Sequence, residues 1–99
     1  MVKIFWTLEA QSWLKKIHDY IALDNSKAAK NTIQKIIDKI KLLKQFPLSG
    51  SIYPLESPET IRVLYYTHYR IAYRIVDKER IDILGVFHGS MEMNVYLKL

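Results

Sequence analysis

The stretch from Ile61 to Gly89, IRVLYYTHYRIAYRIVDKERIDILGVFHG, constrains the fold more than any other part of this 99-residue chain. It is rich in β-branched and aromatic residues, which fit the pleated, half-buried surface of a sheet. Two short breaks, at Thr67-His68 and at residues 77–80, have the length of hairpin loops. The stretch therefore predicts three antiparallel strands, over residues 61–66, 69–76 and 81–87.

Alternation along the middle strand places Arg70 and Arg74 on one face, with Ala72 between them. Two guanidinium groups on one face of a central strand are costly unless they meet water, a partner or an anion. A phosphate group, a carboxylate such as that of Asp82 or Glu92, and a carboxylate of a partner protein all satisfy this requirement. The pattern alone leaves these three alternatives open.

Two helices are predicted upstream, after a short apolar strand over residues 2–6. Apolar residues recur at helical spacing over residues 8–23, with Thr7 as the N-cap, and again from Ser26, the second predicted N-cap, to about Gln45. The second helix is predicted to end before Pro47, because residues before proline disfavour the helical conformation. The very short connection predicts an antiparallel helical hairpin.

The remaining segments complete an α+β fold. Residues 47–60 contain Pro47, Gly50, Pro54 and Pro58 without any period, which predicts a loop, and residues 95–99 are read as a last short strand. The expected architecture is an N-terminal strand and an antiparallel helical hairpin packed on one face of a small, mainly antiparallel sheet of about four strands. Its length predicts a single domain spanning residues 1–99.

Both faces of the predicted sheet carry large apolar side chains, but two helices cover only one face. Strict alternation assigns one face the residues Tyr69, Ile71, Tyr73, Leu84 and Val86, and the other Val63, Ala72, Val76, Ile83 and Phe87. A large bare apolar patch is uncommon on a soluble monomer. We therefore expect a protein partner, or a second copy of the chain in a homodimer, to cover the second face.

The whole formal net charge of +5 arises from residues 26–46, which hold six lysines and one acidic residue, Asp38. A basic stripe of this kind indicates an acidic protein partner or nucleic acid, and it is equally compatible with a solvated helix face. The lysines expected to face a partner are Lys27, Lys30, Lys35 and Lys39.

Chemistry that needs a metal or a cofactor has no visible basis in the sequence. There is no cysteine, the three histidines are far apart, and no glycine-rich phosphate loop is present. No segment has the length of a membrane span or the pattern of a signal peptide, so we expect a cytoplasmic protein. A metal-independent set of single residues remains, in which His88 could act as acid or base and Arg70 could bind a phosphate, with Tyr96 nearby.

The order of elements and the motif YRIAYRI, followed downstream by a strand ending in His88-Gly89, resembles the RelE/ParE toxins of bacterial type II toxin–antitoxin modules. The resemblance spans nearly the whole chain. It implies a small basic toxin, of the kind encoded by plasmid-stabilisation modules, which inhibits growth until a cognate antitoxin neutralises it. ParE-like members inhibit DNA gyrase, whereas RelE-like members are ribosome-dependent endonucleases that cleave mRNA.

Carried over residue by residue, the resemblance implies two sets of site residues. The resemblance carries over Arg62 and Arg70 as expected contacts to a target or a phosphate, to which alternation along the strand adds Arg74. Arg70, His88 and Tyr96 are the expected catalytic set if the chain is a nuclease. The segment after the last strand lacks the basic run of RelE-like enzymes, which favours the ParE-like activity. The alternatives are a RelE-like metal-independent endoribonuclease and an inactive member that only binds its antitoxin.

Overall fold

The computed structural model describes residues 2–53 and 60–89 together with Met93 and Leu97. Two α-helices and one turn of 3₁₀-helix lie between the first two strands of a five-stranded sheet. The strands are β1 (Lys3–Trp6), β2 (Ser51–Tyr53), β3 (Ile61–Tyr66), β4 (Tyr69–Asp77) and β5 (Arg80–His88). The helices are α1 (Leu8–Ala22) and α2 (Ser26–Lys41), and the 3₁₀ turn spans Leu42–Lys44.

The sheet has the strand order β1-β5-β4-β3-β2. β1 runs parallel to β5, and all other neighbours are antiparallel. The α+β architecture with a helical hairpin is therefore confirmed, but the sheet has five strands where about four were expected. The additional strand, β2, lies inside the predicted loop. The predicted strand over residues 95–99 is wrong at Leu97, which is helical, and its other residues lie outside the described part of the chain.

Side-chain caps define where both helices begin. The Thr7 hydroxyl accepts a hydrogen bond from the Ala10 amide at 3.1 Å and donates one to the Ile83 carbonyl at 2.8 Å, so one side chain caps α1 and ties it to β5. In α2 the N-cap is Asn25, whose side-chain oxygen accepts from the Ala28 amide at 3.0 Å. The prediction of Ser26 as this cap was wrong by one residue, since Ser26 is the first residue of the helix.

Both helices pack on one face of the sheet, which we call the helix face. The buried core there is built from aliphatic side chains of both helices, the 3₁₀ turn and the three central strands, together with Tyr73. Its buried members are Ala10, Ile36, Ile40, Leu43, Leu64, Ile71, Tyr73, Ile81, Ile83 and Val86. Neither helix is long and apolar enough to cross a membrane, as judged on the described residues.

A β-bulge in β5 reverses the predicted faces of two residues. Ala72 is paired with Gly85 but Tyr73 with Ile83, so Leu84 is the extra residue. Ile83 consequently packs in the helix-face core, whereas Leu84 packs against the cluster on the opposite face. The prediction from strict alternation was wrong at both positions.

The face opposite the helices, which we call the second face, has its own small apolar cluster of Ile61, Val63, Ala72, Phe87 and Met93. Met93 is fully buried there, and Leu97 packs against the same cluster. The chain's own C-terminal residues therefore cover part of the face for which an external cover was predicted. A homodimer across it stays a prediction.

Candidate functional site

The strand register places Arg70 and Arg74 on the second face. Arg70 is paired with Phe87, a member of the second-face cluster, and Ala72 of the same cluster lies two residues further along β4. Both arginines are half-buried. The predicted placement of these two guanidinium groups on one face of β4 is confirmed.

Arg62 lies on the opposite side of the sheet from Arg70. It is paired with Tyr73, whose side chain belongs to the helix-face core. Its Nη1 donates to the Gly50 carbonyl at 2.8 Å and to the Leu48 carbonyl at 3.3 Å. The structure thus uses Arg62 to hold the segment that leaves α2, and it does not bring Arg62 together with Arg70.

Arg74 takes part in a shared ion pair with Arg80 around Asp82. Asp82 is only 4% exposed. Its carboxylate accepts from Arg80 Nε at 2.7 Å and from Arg74 Nη2 at 3.2 Å, while the Arg80 guanidinium lies 4.6 Å from the centre of the Phe5 ring. The carboxylate partner that the sequence left open for Arg74 is therefore Asp82.

These arginines border an open cleft of about 670 Å³ at the end of the sheet where β4 meets β5. Arg62 reaches its rim from the helix face, and Arg74 and Arg80 reach it from the second face. Two guanidinium groups around one carboxylate leave an excess positive charge, to which Arg62 adds. Sequence reasoning missed Arg80, because it stands in the predicted hairpin break; its spacing of two residues from Asp82 was the available signal.

His88 lies on the helix face, beside the first residue of β4. Its ring is 6.0 Å from that of Tyr69, its cross-strand partner, in an edge-to-face arrangement. The His68 ring lies 6.2 Å from the His88 ring. His88 therefore faces away from Arg70, and the third member of the predicted catalytic set, Tyr96, lies outside the described residues.

An apolar groove of about 500 Å³ separates α1 from the ends of β4 and β5. It is lined by Trp13, Lys16, Ile17, Tyr20, Ile21, Tyr69, Val86 and His88. Tyr20 is 78% exposed at its rim, and Lys16 lies 4.6 Å from the centre of the Trp13 ring. Trp13, Ile17 and Ile21 belong to the apolar residues at helical spacing that predicted α1, whereas Tyr20 stands outside that periodic set, and the sequence analysis did not identify it.

The lysines of α2 lie on its solvent side. Lys27, Lys30 and Lys35 are exposed and Lys39 is half-buried, and the inward residues Ala29, Ile36 and Ile40 are buried. Asp38, the one acidic residue of this segment, accepts a hydrogen bond from Gln34 at 2.9 Å. Within the described residues, none of these lysines forms an ion pair, and no cluster of three metal-binding side chains occurs.

Comparison with known protein families gives a match over residues 4–93 to the family described as the ParE toxin of the type II toxin–antitoxin system parDE. Among curated proteins, "Putative toxin Y4kP" of Sinorhizobium fredii is 32% identical over 90 residues, which cover 91% of each chain.

Solved structures give the same picture of the fold. A chain of the chromosomal ParDE system from P. aeruginosa superposes with a TM-score of 0.73 at 27% identity, covering 89% of this chain and 96% of that one. A chain of the RelBE2 toxin–antitoxin complex from Mycobacterium tuberculosis superposes with a TM-score of 0.62 at 22% identity, covering 88% of this chain and 96% of that one. The second likeness concerns the fold alone.

Proposed function

Because the chain belongs to the ParE toxin family of type II toxin–antitoxin systems, we propose that it arrests growth by inhibiting DNA gyrase in the cytoplasm and that a cognate antitoxin holds it inactive. Catalysis has no part in this activity. Arg70 and Arg74 on the second face, and the lysines of α2, are the groups proposed to contact the target.

One observation carries the choice of gyrase over ribosome-dependent mRNA cleavage. Arg70 leaves β4 on the second face, whereas His88 leaves β5 on the helix face, beside Tyr69. Cleavage of a phosphodiester needs an acid or base and a cation at the same phosphate, within hydrogen-bond reach of the reacting atoms. A sheet between the two groups does not provide that arrangement.

The test is induction of the full chain in a bacterial host, followed by pulse labelling of DNA and protein synthesis. Inhibition of gyrase predicts that DNA synthesis fails first, with filamentation, and that the purified chain blocks supercoiling of relaxed plasmid by gyrase. If protein synthesis stops first while DNA synthesis continues, the alternative of a ribosome-dependent mRNA endonuclease is correct. If growth is unaffected although the folded protein accumulates, the chain is an inactive, antitoxin-binding member.

The antitoxin is proposed to occupy the groove between α1 and the ends of β4 and β5. The two similar solved structures come from a ParDE system and a RelBE2 complex, and the groove is lined mainly by apolar side chains with the exposed ring of Tyr20 at its rim. An apolar segment of the antitoxin would bury this ring and gain about 25 cal/mol for each Å² of apolar surface removed from water.

Two exposed residues of the same helix end provide a matched pair for testing this docking site. Tyr20→Ala should weaken co-purification with the co-expressed antitoxin by tenfold or more in affinity, because a buried aromatic anchor is typically worth about 2 kcal/mol. Leu23→Ala is the control, since Leu23 is 83% exposed and does not line the groove. Equal affinities for the two variants would place the antitoxin elsewhere.

A further inference from the structure

The first turns of the two helices carry charges of opposite sign. In α1, Glu9 stands in the first turn, where a negative charge is favourable, and Lys15 pairs with Asp19 at 2.8 Å with the stabilising i,i+4 spacing. In α2 the first turn holds no acidic residue and instead carries Lys27. The charge in the first turn of α1 stabilises its helix, whereas the charge in the first turn of α2 destabilises its helix.

The cost to α2 can be located on particular lysines. A cation in the first turn of a helix is unfavourable by about 0.3–1 kcal/mol, which applies to Lys27. The same effect favours Lys39 and Lys41 in the last turn. Lys35 and Lys39 are a like-charge i,i+4 pair, which costs a further few tenths of a kcal/mol. The stability of the helix therefore does not account for Lys27.

Three of the lysines share one side of α2. With 3.6 residues per turn, Lys27, Lys30 and Lys41 fall within a sector of about 60°, and all three are exposed. Lys35 and Lys39 lie on the other flank, beyond Asn31. We call the first group the lysine ridge. Its members span about 21 Å along the helix axis, a length over which duplex DNA presents about twelve phosphate charges.

We propose that the lysine ridge docks on the phosphate backbone of double-stranded DNA. The three positive charges of the ridge form no ion pair within the described residues, and the nearby Asp38 carboxylate accepts a hydrogen bond from Gln34. Lysine acts as a point charge suited to phosphate contacts without sequence readout. Gln34 lies within the sector of the ridge, and Asn31 and Asp38 lie at one margin of it, so these positions offer no aromatic ring on which an unstacked base could lie. This absence distinguishes the ridge from surfaces that bind single strands.

The choice of DNA over duplex RNA rests on the proposed function. Gyrase acts on duplex DNA, so an inhibitor bound to the enzyme lies next to its substrate. Contact through the lysine ridge would raise the affinity of the toxin for gyrase that is already on DNA, through electrostatic steering and added phosphate contacts. Free gyrase would not provide this second contact.

The experiment is a titration of a fluorescein-labelled DNA duplex of about 30 base pairs with the full chain, made by cell-free synthesis, over a series of potassium chloride concentrations. Non-specific affinities of about 10⁻⁴–10⁻⁶ M are typical near physiological salt. Because each neutralised phosphate contributes about −0.9 to the slope of log K against log salt, the wild-type slope should be about −3. The triple variant Lys27→Gln/Lys30→Gln/Lys41→Gln should have a slope near zero.

Two control variants separate the position of the charges from their number. Lys3→Gln/Lys16→Gln/Lys78→Gln removes the same charge from exposed sites outside α2 and should keep most of the wild-type slope. Lys35→Gln/Lys39→Gln removes the opposite flank of α2 and should also keep it. Far-UV circular dichroism checks that every variant is folded. The ridge variant should unfold at nearly the same temperature as the wild type, since it loses an unfavourable charge at Lys27 and a favourable one at Lys41.

The outcomes separate this inference from the gyrase proposal. If the two triple variants lose the same amount of salt-dependence slope, the binding depends on net charge and not on the lysine ridge. A tighter complex with an RNA duplex of the same sequence would contradict the assignment to DNA. The titration contains no gyrase, so a chain that inhibits supercoiling but shows no salt-dependent DNA binding overturns this inference alone. A chain that binds DNA through the ridge but leaves supercoiling intact overturns the gyrase proposal alone.

Discussion

Arg70 and His88 leave the sheet on opposite faces. Arg70 is paired with Phe87 on the second face, and His88 is paired with Tyr69 on the helix face, with rings 6.0 Å apart. The two residues are close in the strand register: Phe87, the partner of Arg70, precedes His88 in the chain, and Tyr69, the partner of His88, precedes Arg70. Their separation is one of direction, because successive side chains of a strand point to opposite sides.

The first prediction concerns growth inhibition by His88→Ala. With His88 turned away from Arg70, the variant should reduce viable counts after induction to within about threefold of the wild type. Loss of a general acid or base would instead cost about 10²–10⁴ in rate. His68→Ala is the matched control, since its ring lies 6.2 Å from that of His88. If cells that express stable, folded His88→Ala grow normally, His88 is needed for toxicity and the hypothesis of a catalytic histidine is supported.

The second prediction concerns the hydroxyl of Tyr73. It donates to the Pro47 carbonyl at 2.7 Å and accepts from the Gly50 amide at 2.9 Å, so one buried side chain of β4 fixes the segment after α2. Tyr73→Phe leaves both backbone groups without this partner and should lower the free energy of unfolding by about 1–3 kcal/mol. Urea denaturation measures this loss. Tyr65→Phe, at a residue 59% exposed, should change stability by less than about 0.5 kcal/mol.

The third prediction follows from the ionisation of the same phenol. Burial raises the pKa of Tyr73 above its ordinary value of 10.0. In the unfolded chain the phenol has a pKa of about 10. Between that pH and the higher pKa of the folded state, the folded protein therefore binds the proton more tightly than the unfolded chain. Stability contributed by the neutral phenol is therefore fully present below about pH 10 and is lost as the pH rises through the folded pKa.

Urea denaturation of the wild type and of Tyr73→Phe between about pH 8 and about pH 11 isolates this contribution. The wild type should be the more stable protein at the lower end, and the difference should shrink above about pH 10, because phenylalanine has no proton to lose. Burial also raises the pKa of Tyr69, but that group is present in both proteins and cancels in the difference. A constant difference across the range would contradict the prediction.

Local pattern was sufficient for most of the fold. The two helices begin and end within a few residues of their predicted bounds, and β3, β4 and β5 coincide with the three predicted strands to within one residue at each end. These elements are long, strongly periodic and joined by short connections, so local residues decide them. β2 was not predicted because Ser51–Tyr53 has only three residues, follows Gly50, and is held by pairing with β3, which is distant in sequence.

The candidate site was less predictable because it depends on contacts between distant residues. One extra residue at Leu84 exchanges the faces of β5 on either side of it, and a bulge of this kind leaves no periodic signal. The roles of Arg62 at the Gly50 carbonyl and of Tyr73 at the Pro47 carbonyl join positions 12 and 26 residues apart. Alternation correctly placed Arg70 with Arg74, since β4 itself continues without interruption between them.

The last prediction concerns the carboxylate shared by two arginines. Asp82 is buried, and its oxygens lie 2.7 Å from Arg80 Nε and 3.2 Å from Arg74 Nη2. Asp82→Asn keeps the shape of the side chain but leaves two neighbouring guanidinium groups without the charge between them. We expect a loss of about 1.5–3 kcal/mol in the free energy of unfolding, below the cost of breaking a fully buried pair because both arginines are partly exposed. Asp24→Asn, at an exposed turn, is the neutral control.

A double-mutant cycle with Arg80→Gln shows whether this loss comes from the ion pair. If the short contact between Arg80 and Asp82 is the main term, the two single changes should be non-additive by about 1 kcal/mol, because the second change removes an interaction that the first has already broken. Strictly additive losses would mean that Asp82 acts mainly through Arg74. In that case the cycle of Asp82→Asn with Arg74→Gln should be the non-additive one, with Arg74→Gln costing less stability in the Asp82→Asn background than in the wild type.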